Sequence, residues 1–370
     1  MSVRVAFPFV GDTIGGSHIS AALLMAELPE HGFSPIAIVH QDGPLLPFLK
    51  QRGLDCMQAD LPCLRPGAAG IPAVLKIFMM APRLAAFLRV NDFTLVHSND
   101  GRMITGWMPG ARLAGCRTIA HRRTRWSPSR LSDIAFSFAQ KVIAISRYVE
   151  TTLPPPLTAK SVVIANPFEP AAISRPDARK RVMALEGSDA PVVAFVGTLQ
   201  KQKRPDVFLR AAAIIHRHRP DIRFLLIGRD GEEGDAARDL CNALELDGVV
   251  TFAGFHADAA EILAGCDLLL APAVEEGHGR TLVEAMTAGV PVVAASSGGH
   301  LEIIEPDRTG LLVPPDDAQA LATAALSLLF DPGQANRIAD AARAAAIANF
   351  SVAAHAQAVA KVYRELLAQT

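Results

Sequence analysis

Two glutamates, Glu276 and Glu284, stand eight positions apart around Gly277, His278, Gly279, Arg280, Thr281 and Leu282. The Gly-x-Gly turn can open a helix, which puts the first carboxylate in a loop and the second in the opening turns. A helix start offers unpaired backbone N–H groups and a partial positive charge to an anion, and glycines let that anion approach the main chain. An ionised carboxylate accepts from two adjacent hydroxyls. The stretch therefore reads as a cradle for phosphate beside vicinal hydroxyls, the combination found in a nucleotide sugar.

Moving a sugar off a nucleotide means that a diphosphate departs while positive charge builds on the anomeric carbon, so cations near the diphosphate are the first need. The run from Phe195 to Asp206 supplies Lys201, Lys203 and Arg204 on a loop leaving an apolar strand. Lys201 is equally readable as a solvated surface charge. A metal is the other way to neutralise a diphosphate, but no Asp-x-Asp occurs and Glu233-Gly-Asp235 lies in an acidic loop, so neither metal nor other cofactor is expected. His121 closes the run from Arg117 at the mouth of a strand, followed by Arg122, Arg123, Arg125, Trp126 and Arg130. Gly15-Gly16-Ser17 forms a turn into a helix starting near His18; it lacks Gly-x-Gly-x-x-Gly spacing and does not support a dinucleotide site.

Short Val- and Ile-rich runs alternating with longer amphipathic stretches predict parallel strands joined by crossover helices. Strands are expected near 3–9, 35–39, 94–97, 117–120, 141–145 and 161–165, then near 192–197, 222–227, 249–252, 267–271 and 291–295. The fold class is α/β, with two doubly wound Rossmann-like parallel sheets. Residues 166–177, broken by three prolines, read as the linker. In such sheets ligands bind outside the carboxyl ends of the strands, where Gly11 to Ser17, Ser98 to Asp100 with Asn99 between them, His121 to Trp126, Thr198 to Arg204, Arg229 to Glu233 and Glu275 to Gly279 all fall.

With 370 residues, half of them hydrophobic, the chain can fill two such cores. Residues 1–170 carry 17 basic and 11 acidic residues, the remainder 19 and 26. The more positive front half suits an anionic acceptor or surface. Five scattered cysteines without a Cys-x-x-Cys pair read as reduced thiols. No secretory leader and no uninterrupted apolar span is recognised, so a cytoplasmic location is expected, with peripheral attachment to a membrane through the arginines and through an amphipathic face on residues 74–88. For that segment, burial against the first sheet is the preferred reading and the amphipathic face the second. No nucleic-acid partner is expected.

The Glu-x7-Glu spacing, followed by Ala288-Gly-Val-Pro-Val-Val293, Gly298-Gly-His-Leu-Glu302 and Gly310-Leu-Leu-Val-Pro-Pro315, resembles the retaining family 4 glycosyltransferases (glycosyltransferase group 1) of the GT-B fold. The resemblance implies two domains facing a cleft: residues 1–168 on the acceptor side, 177–350 binding the nucleotide sugar, and 351–370 as a closing helix that crosses back to the first domain. It also implies that Glu276 touches donor sugar hydroxyls, Glu284 the ribose, Lys203 the diphosphate and His121 the sugar. Gly277, His278 and Gly279, with Arg280, Thr281 and Leu282, would line the donor site. Gly16 would approach it from the first domain, and Gly15, Ser17, Asn99, Arg122 and Arg123 would meet a glycan or lipid-linked acceptor. One departure stands out: Thr198 occupies the place of the family's diphosphate arginine, which a hydroxyl does not replace, so either Arg204 or Lys201 compensates or affinity for the donor is low. His278 stands where the family often has Phe.

A nucleotide-sugar 2-epimerase shares the architecture and would form an epimeric nucleotide sugar without an acceptor. A binding protein without turnover is a third reading, motivated by Thr198.

Overall fold

Thirteen strands form two parallel sheets in the computed structural model, which describes residues 2–61, 63–64, 70–126, 130–170 and 172–369, the side chains of residues 70 and 130–132 excepted. Unit 1 comprises Met1–Phe168 and Phe350–Thr370, and unit 2 comprises Glu169–Asn349. The helix that opens unit 2, Arg175–Glu186, starts within the expected linker, because Ser174 accepts from the Asp177 amide and caps it.

Unit 1 contains β1 (Val3–Phe9), β2 (Phe33–Val39), β3 (Cys56–Gln58), β4 (Leu95–Ser98), β5 (Arg117–Arg122), β6 (Lys141–Ala144) and β7 (Ser161–Val163), in the order β3-β2-β1-β4-β5-β6-β7. Unit 2 contains β8 (Val192–Val196), β9 (Arg223–Ile227), β10 (Val250–Gly254), β11 (Leu268–Ala271), β12 (Val292–Ala295) and β13 (Leu311–Val313), in the order β10-β9-β8-β11-β12-β13. Chain order reverses between β1 and β4 in the first sheet and between β8 and β11 in the second. At such a switch point neighbouring loops turn to opposite faces and leave a crevice at the carboxyl ends of the strands.

The central strands are continuous apolar runs because both faces are covered. Val5, Phe7 and Phe9 enter one core and Ala6 and Val10 the other. The Val352–Ala368 helix, capped by Ser351, completes unit 1 by placing Ala356, Val359, Val362, Tyr363 and Leu366 in the first of these cores. In unit 2 the helix Pro205–His218 buries Val207, Phe208, Ala211 and Ile215 against β8 and β9.

The helix Gly70–Val90 is divided along its length. Ala73, Ile77, Met80, Leu84 and Leu88 are buried, and Gly110 of the helix Gly101–Ala114 lets the two helices approach so closely that a Cβ there would meet Leu84 Cβ at 2.7 Å. The opposite face leaves Ile71, Leu75, Phe78 and Met79 exposed. Expected either as buried or as amphipathic, the segment is both, half core and half apolar surface. Among the described residues one helix, Ile71–Val90, is long and apolar enough to cross a membrane by length and composition; its packed face makes it part of the core of unit 1. All five cysteines are free, and burial pushes the Cys116 and Cys266 thiols up to about 11 and about 12.

Candidate functional site

At the switch point of unit 2, the loop after β8 and the loop after β11 are fastened together. Gln202 donates through Nε2 to the Glu275 carbonyl at 2.9 Å, and the Val274 amide donates to the Gln202 carbonyl at 2.9 Å. These bonds bring Lys203 to Glu276, where Nζ donates to both carboxylate oxygens at 2.6 Å. The lysine stem is shaped by glycine: a Cβ on Gly197 would lie 3.4 Å from Lys203 Cδ. Gly228, at the end of β9, is still more constrained, since its Cβ would fall 1.9 Å from the Gly197 carbonyl oxygen. Burial pushes the Glu276 carboxyl up, but the Lys203 ammonium pulls it down further and holds it below the usual carboxylate range.

A second loop supports the first. The Gly299 amide donates to the Glu276 carbonyl at 2.8 Å and Ser297 Oγ accepts from the Glu275 amide at 3.0 Å. Gly298, with φ +56°, would place a Cβ 2.5 Å from the Glu276 carbonyl oxygen, and Gly299 would place one 2.7 Å from His278 Cα. This is the structural use of the Gly298-Gly299 pair. His300, the next residue, is buried and donates through Nδ1 to the Ala295 carbonyl at 3.0 Å, which leaves a lone pair on Nε2. Burial lowers its basicity, partly offset by Glu276. Sequence reasoning did not single out His300; its side-chain direction depends on contacts that no motif records.

Gly279 starts the helix Arg280–Ala288 in a left-handed conformation, φ +93°, with no side-chain cap. Arg280 Nε donates to Glu284 Oε1 at 2.7 Å one turn along. Burial raises the Glu284 carboxyl above its ordinary value, and Arg280 offsets only part of that rise. His278 is buried, Thr281 half-buried and Gly277 half-buried beside Glu276. Leu282 corrects an expectation: its side chain is fully buried in the interior, and its amide donates to the Gly279 carbonyl at 3.1 Å. The leucine therefore anchors the helix and does not line the site.

Arg204, one of the two cations named to compensate for Thr198, is paired with Asp206 at 3.1 Å and also with Asp316. Thr198 is half-buried at the end of β8, and Lys201 is exposed.

In unit 1, Gly15 caps the helix Gly16–Glu27, two residues earlier than expected, and its amide donates to His18 Nδ1 at 3.1 Å. Gly15 and Gly16 are exposed and Ser17 half-buried. Asp100 caps the following helix by accepting from the Met103 amide at 2.8 Å, which leaves Asn99 as the buried residue of the loop after β4. Asn99 Oδ1 accepts from Arg123 Nη2 at 2.9 Å, and Arg123 also donates to Asn166.

The basic run after β5 is not the open cluster that was expected. Arg122 lies over the rings of Trp126 and Phe136, at 5.4 and 6.0 Å from their centroids, and Trp126 is buried edge-on against Phe136. Arg123 is turned inward. Arg125 is exposed, and the Arg130 side chain lies outside the described residues. His121, expected at an open strand mouth, is fully buried within β5. Its Nδ1 is 3.1 Å from His97 Nε2 and its ring stacks on His355, centroids 5.9 Å apart.

Residues 178–345, which include Lys203, Glu276 and Glu284, match the family described as glycosyl transferases group 1. The match lies within unit 2, and the two parallel-sheet units have the GT-B fold. It is 34% identical over 227 residues to a D-inositol 3-phosphate glycosyltransferase of Kineococcus radiotolerans, covering 56% of this chain and 52% of that one. It is 32% identical over 180 residues to the alpha-D-kanosaminyltransferase of Streptomyces kanamyceticus, covering 48% and 46%. The chain thus spans about half the length of these curated relatives. The crystal structure of HepE from Anabaena in complex with UDP-glucose has the same fold, with a TM-score of 0.81 over 98% of this chain and 99% of that one at 23% identity.

Proposed function

We propose that this protein is a retaining glycosyltransferase that moves a sugar from a nucleoside-diphosphate sugar to a glycan or lipid-linked acceptor, without a metal. The observation that carries this reading is the Lys203–Glu276 pair at the switch point of unit 2, beside an uncapped helix start. The ammonium and the first-turn amides meet the diphosphate, whose charge grows as it leaves, and electrostatic groups already in place lower that barrier. Glu276, held ionised by the lysine, accepts from the sugar hydroxyls and fixes the anomeric carbon. Glu284 accepts from the ribose hydroxyls once binding draws Arg280 toward the phosphates. Attack from the same face as the leaving group gives retention. That HepE is seen with UDP-glucose supports a uridine donor as the first to try. Nothing in the described site favours the epimerase or a protein without turnover.

For the acceptor side, the exposed stripe of Ile71, Leu75, Phe78 and Met79, flanked by exposed Lys76 and Arg83, fits an anionic lipid surface in the cytoplasm, where an amphipathic face binds by apolar burial and charge together. Arg122 and Arg123 are assigned to holding unit 1 together rather than to this surface.

The test is a thermal-shift screen of nucleoside-diphosphate sugars, followed by transfer assays with and without EDTA and determination of the product anomer. A donor at about 100 times its dissociation constant stabilises by roughly 2.7 kcal/mol. No shift with any donor, an inverted product, or loss of activity in EDTA restored by Mg²⁺ would each overturn the corresponding part. Leu75→Ser with Met79→Ser should reduce binding to anionic vesicles while leaving the donor shift unchanged.

A further inference from the structure

Four polar rings follow one another inside unit 1. Tyr363, from the last helix, lies with its hydroxyl 2.6 Å from His97 Nδ1; His97 Nε2 lies 3.1 Å from His121 Nδ1; and His121 stacks on His355, whose Nδ1 is 2.6 Å from the Ala165 carbonyl. Tyr363, His97 and His121 are fully or almost fully buried, and Phe7 stacks on His97 with centroids 4.9 Å apart. A buried chain of this kind has two possible proton orders, and the surroundings choose between them. Tyr363 has an O–H to give, and among the described hydrogen bonds its acceptor is His97 Nδ1. At the other end, Arg123 Nη2, which carries only protons, approaches His121 Nδ1 at 3.4 Å and favours a lone pair on that atom. Both ends therefore select the same order: Tyr363 donates to His97 Nδ1, and His97 Nε2 donates to His121 Nδ1.

We infer that Tyr363 and His97 are positioning residues that fix His121 in the tautomer protonated on Nε2, so that unit 1 offers a ligand oxygen a neutral hydrogen-bond donor there. The Nε2 atom is buried and has no hydrogen-bond acceptor among the described residues, as do Ser98 Oγ and Asn99 Nδ2. The Asn99 assignment follows from its Oδ1, which accepts from Arg123. Native proteins pair such groups with protein, water or ligand. Donors gathered at the ends of β4 and β5 fit an oxygen-rich partner, and a sugar hydroxyl has the matching acceptor. The ligand's identity rests on the function proposed above; the tautomer does not. Burial, reinforced by Arg123, pushes both His97 and His121 well below the ordinary histidine range, which keeps these two rings neutral at physiological pH.

The experiment is two-bond ¹H–¹⁵N correlation spectroscopy on the full chain carrying ¹⁵N-histidine, with peaks assigned by single His→Gln variants. In the wild type at pH 7, His97 and His121 should each show a pyridine-like Nδ1 and a pyrrole-like Nε2, and His355 the reverse. Tyr363→Phe keeps the ring and removes the donor; the Nδ1-protonated form of His121 should rise from a minor to a major species. A wild-type His121 that is Nδ1-protonated or doubly protonated would overturn the inference, whether or not the variant folds. So would a folded Tyr363→Phe in which the His121 signals are unchanged. Because no substrate is needed, failure here is distinct from failure of the transferase assay.

Discussion

Lys203 Nζ sits 2.6 Å from each oxygen of the Glu276 carboxylate, although 73 positions separate the two residues. The ammonium thereby keeps the carboxylate ionised, and the proposed function gives the first to the diphosphate and the second to the sugar hydroxyls. Glu276→Ala and Lys203→Ala should each lower turnover on the order of 100-fold or more. Because the two groups touch, their losses should not add: the double variant should fall short of the product of the singles. Transfer at the wild-type rate by purified, folded Glu276→Ala would refute the site.

The two glutamates should bend the pH dependence of stability in opposite directions. Glu276 has its folded pKa depressed, so its contribution is present above the unfolded carboxylate value and is lost as pH falls through the folded one. Glu284 has its folded pKa raised, so its contribution is present below the unfolded value and is lost as pH rises through the folded one. Glu284→Gln should therefore leave stability near neutral pH unchanged or higher while weakening nucleotide binding. Urea titrations between pH 4 and pH 8, with calorimetric titration of the nucleotide, check both; a large loss of stability at pH 7 would show that the Arg280 pair outweighs the burial.

Thr198→Arg should tighten binding of a free nucleoside diphosphate. Arg204 is committed to Asp206 and Asp316, so no guanidinium from that loop competes for the space. Isothermal titration measures the gain, and unchanged affinity would place the loop's phosphate contact elsewhere.

Gly298→Ala should act at a distance of one loop. Its φ of +56° and a Cβ at 2.5 Å from the Glu276 carbonyl oxygen require the loop under Glu276 to move. Misplacing a contact by about 1 Å can cost about 100-fold in rate, so kcat should fall well beyond what a modest drop in Tm explains. A variant with wild-type kcat would mean that the 296–300 loop does not position Glu276.

What could be read in the sequence is what depends on neighbours along the chain. The long buried strands, the Gly-x-Gly helix start and the place of Lys203 after β8 are of that kind. β3 and β13 are three-residue edge strands without the longer apolar run that marks the equally short edge strand β7, where Val162-Val-Ile-Ala165 continues the pattern, so neither was expected. The ion pair of Arg204 with Asp316 spans 112 positions and the hydrogen bond of Tyr363 with His97, beside His121, spans 266, so no local motif records either. Its place in the motif puts Leu282 in the lining of the site, whereas its side chain is buried in the interior.

The chain leaves unit 1 at Phe168 and comes back to it at Phe350. During synthesis, unit 2 is therefore complete before the ribosome has made the helix that covers one face of the first sheet. Maturation runs against the usual order, in which the earlier domain finishes first. The first half waits with Phe33, Leu24 and Leu28 uncovered until Tyr363 arrives, and the histidine chain that ends at His121 cannot be ordered before that moment. Translation arrested anywhere between residues 350 and 363 would release a finished unit 2 attached to an unfinished unit 1.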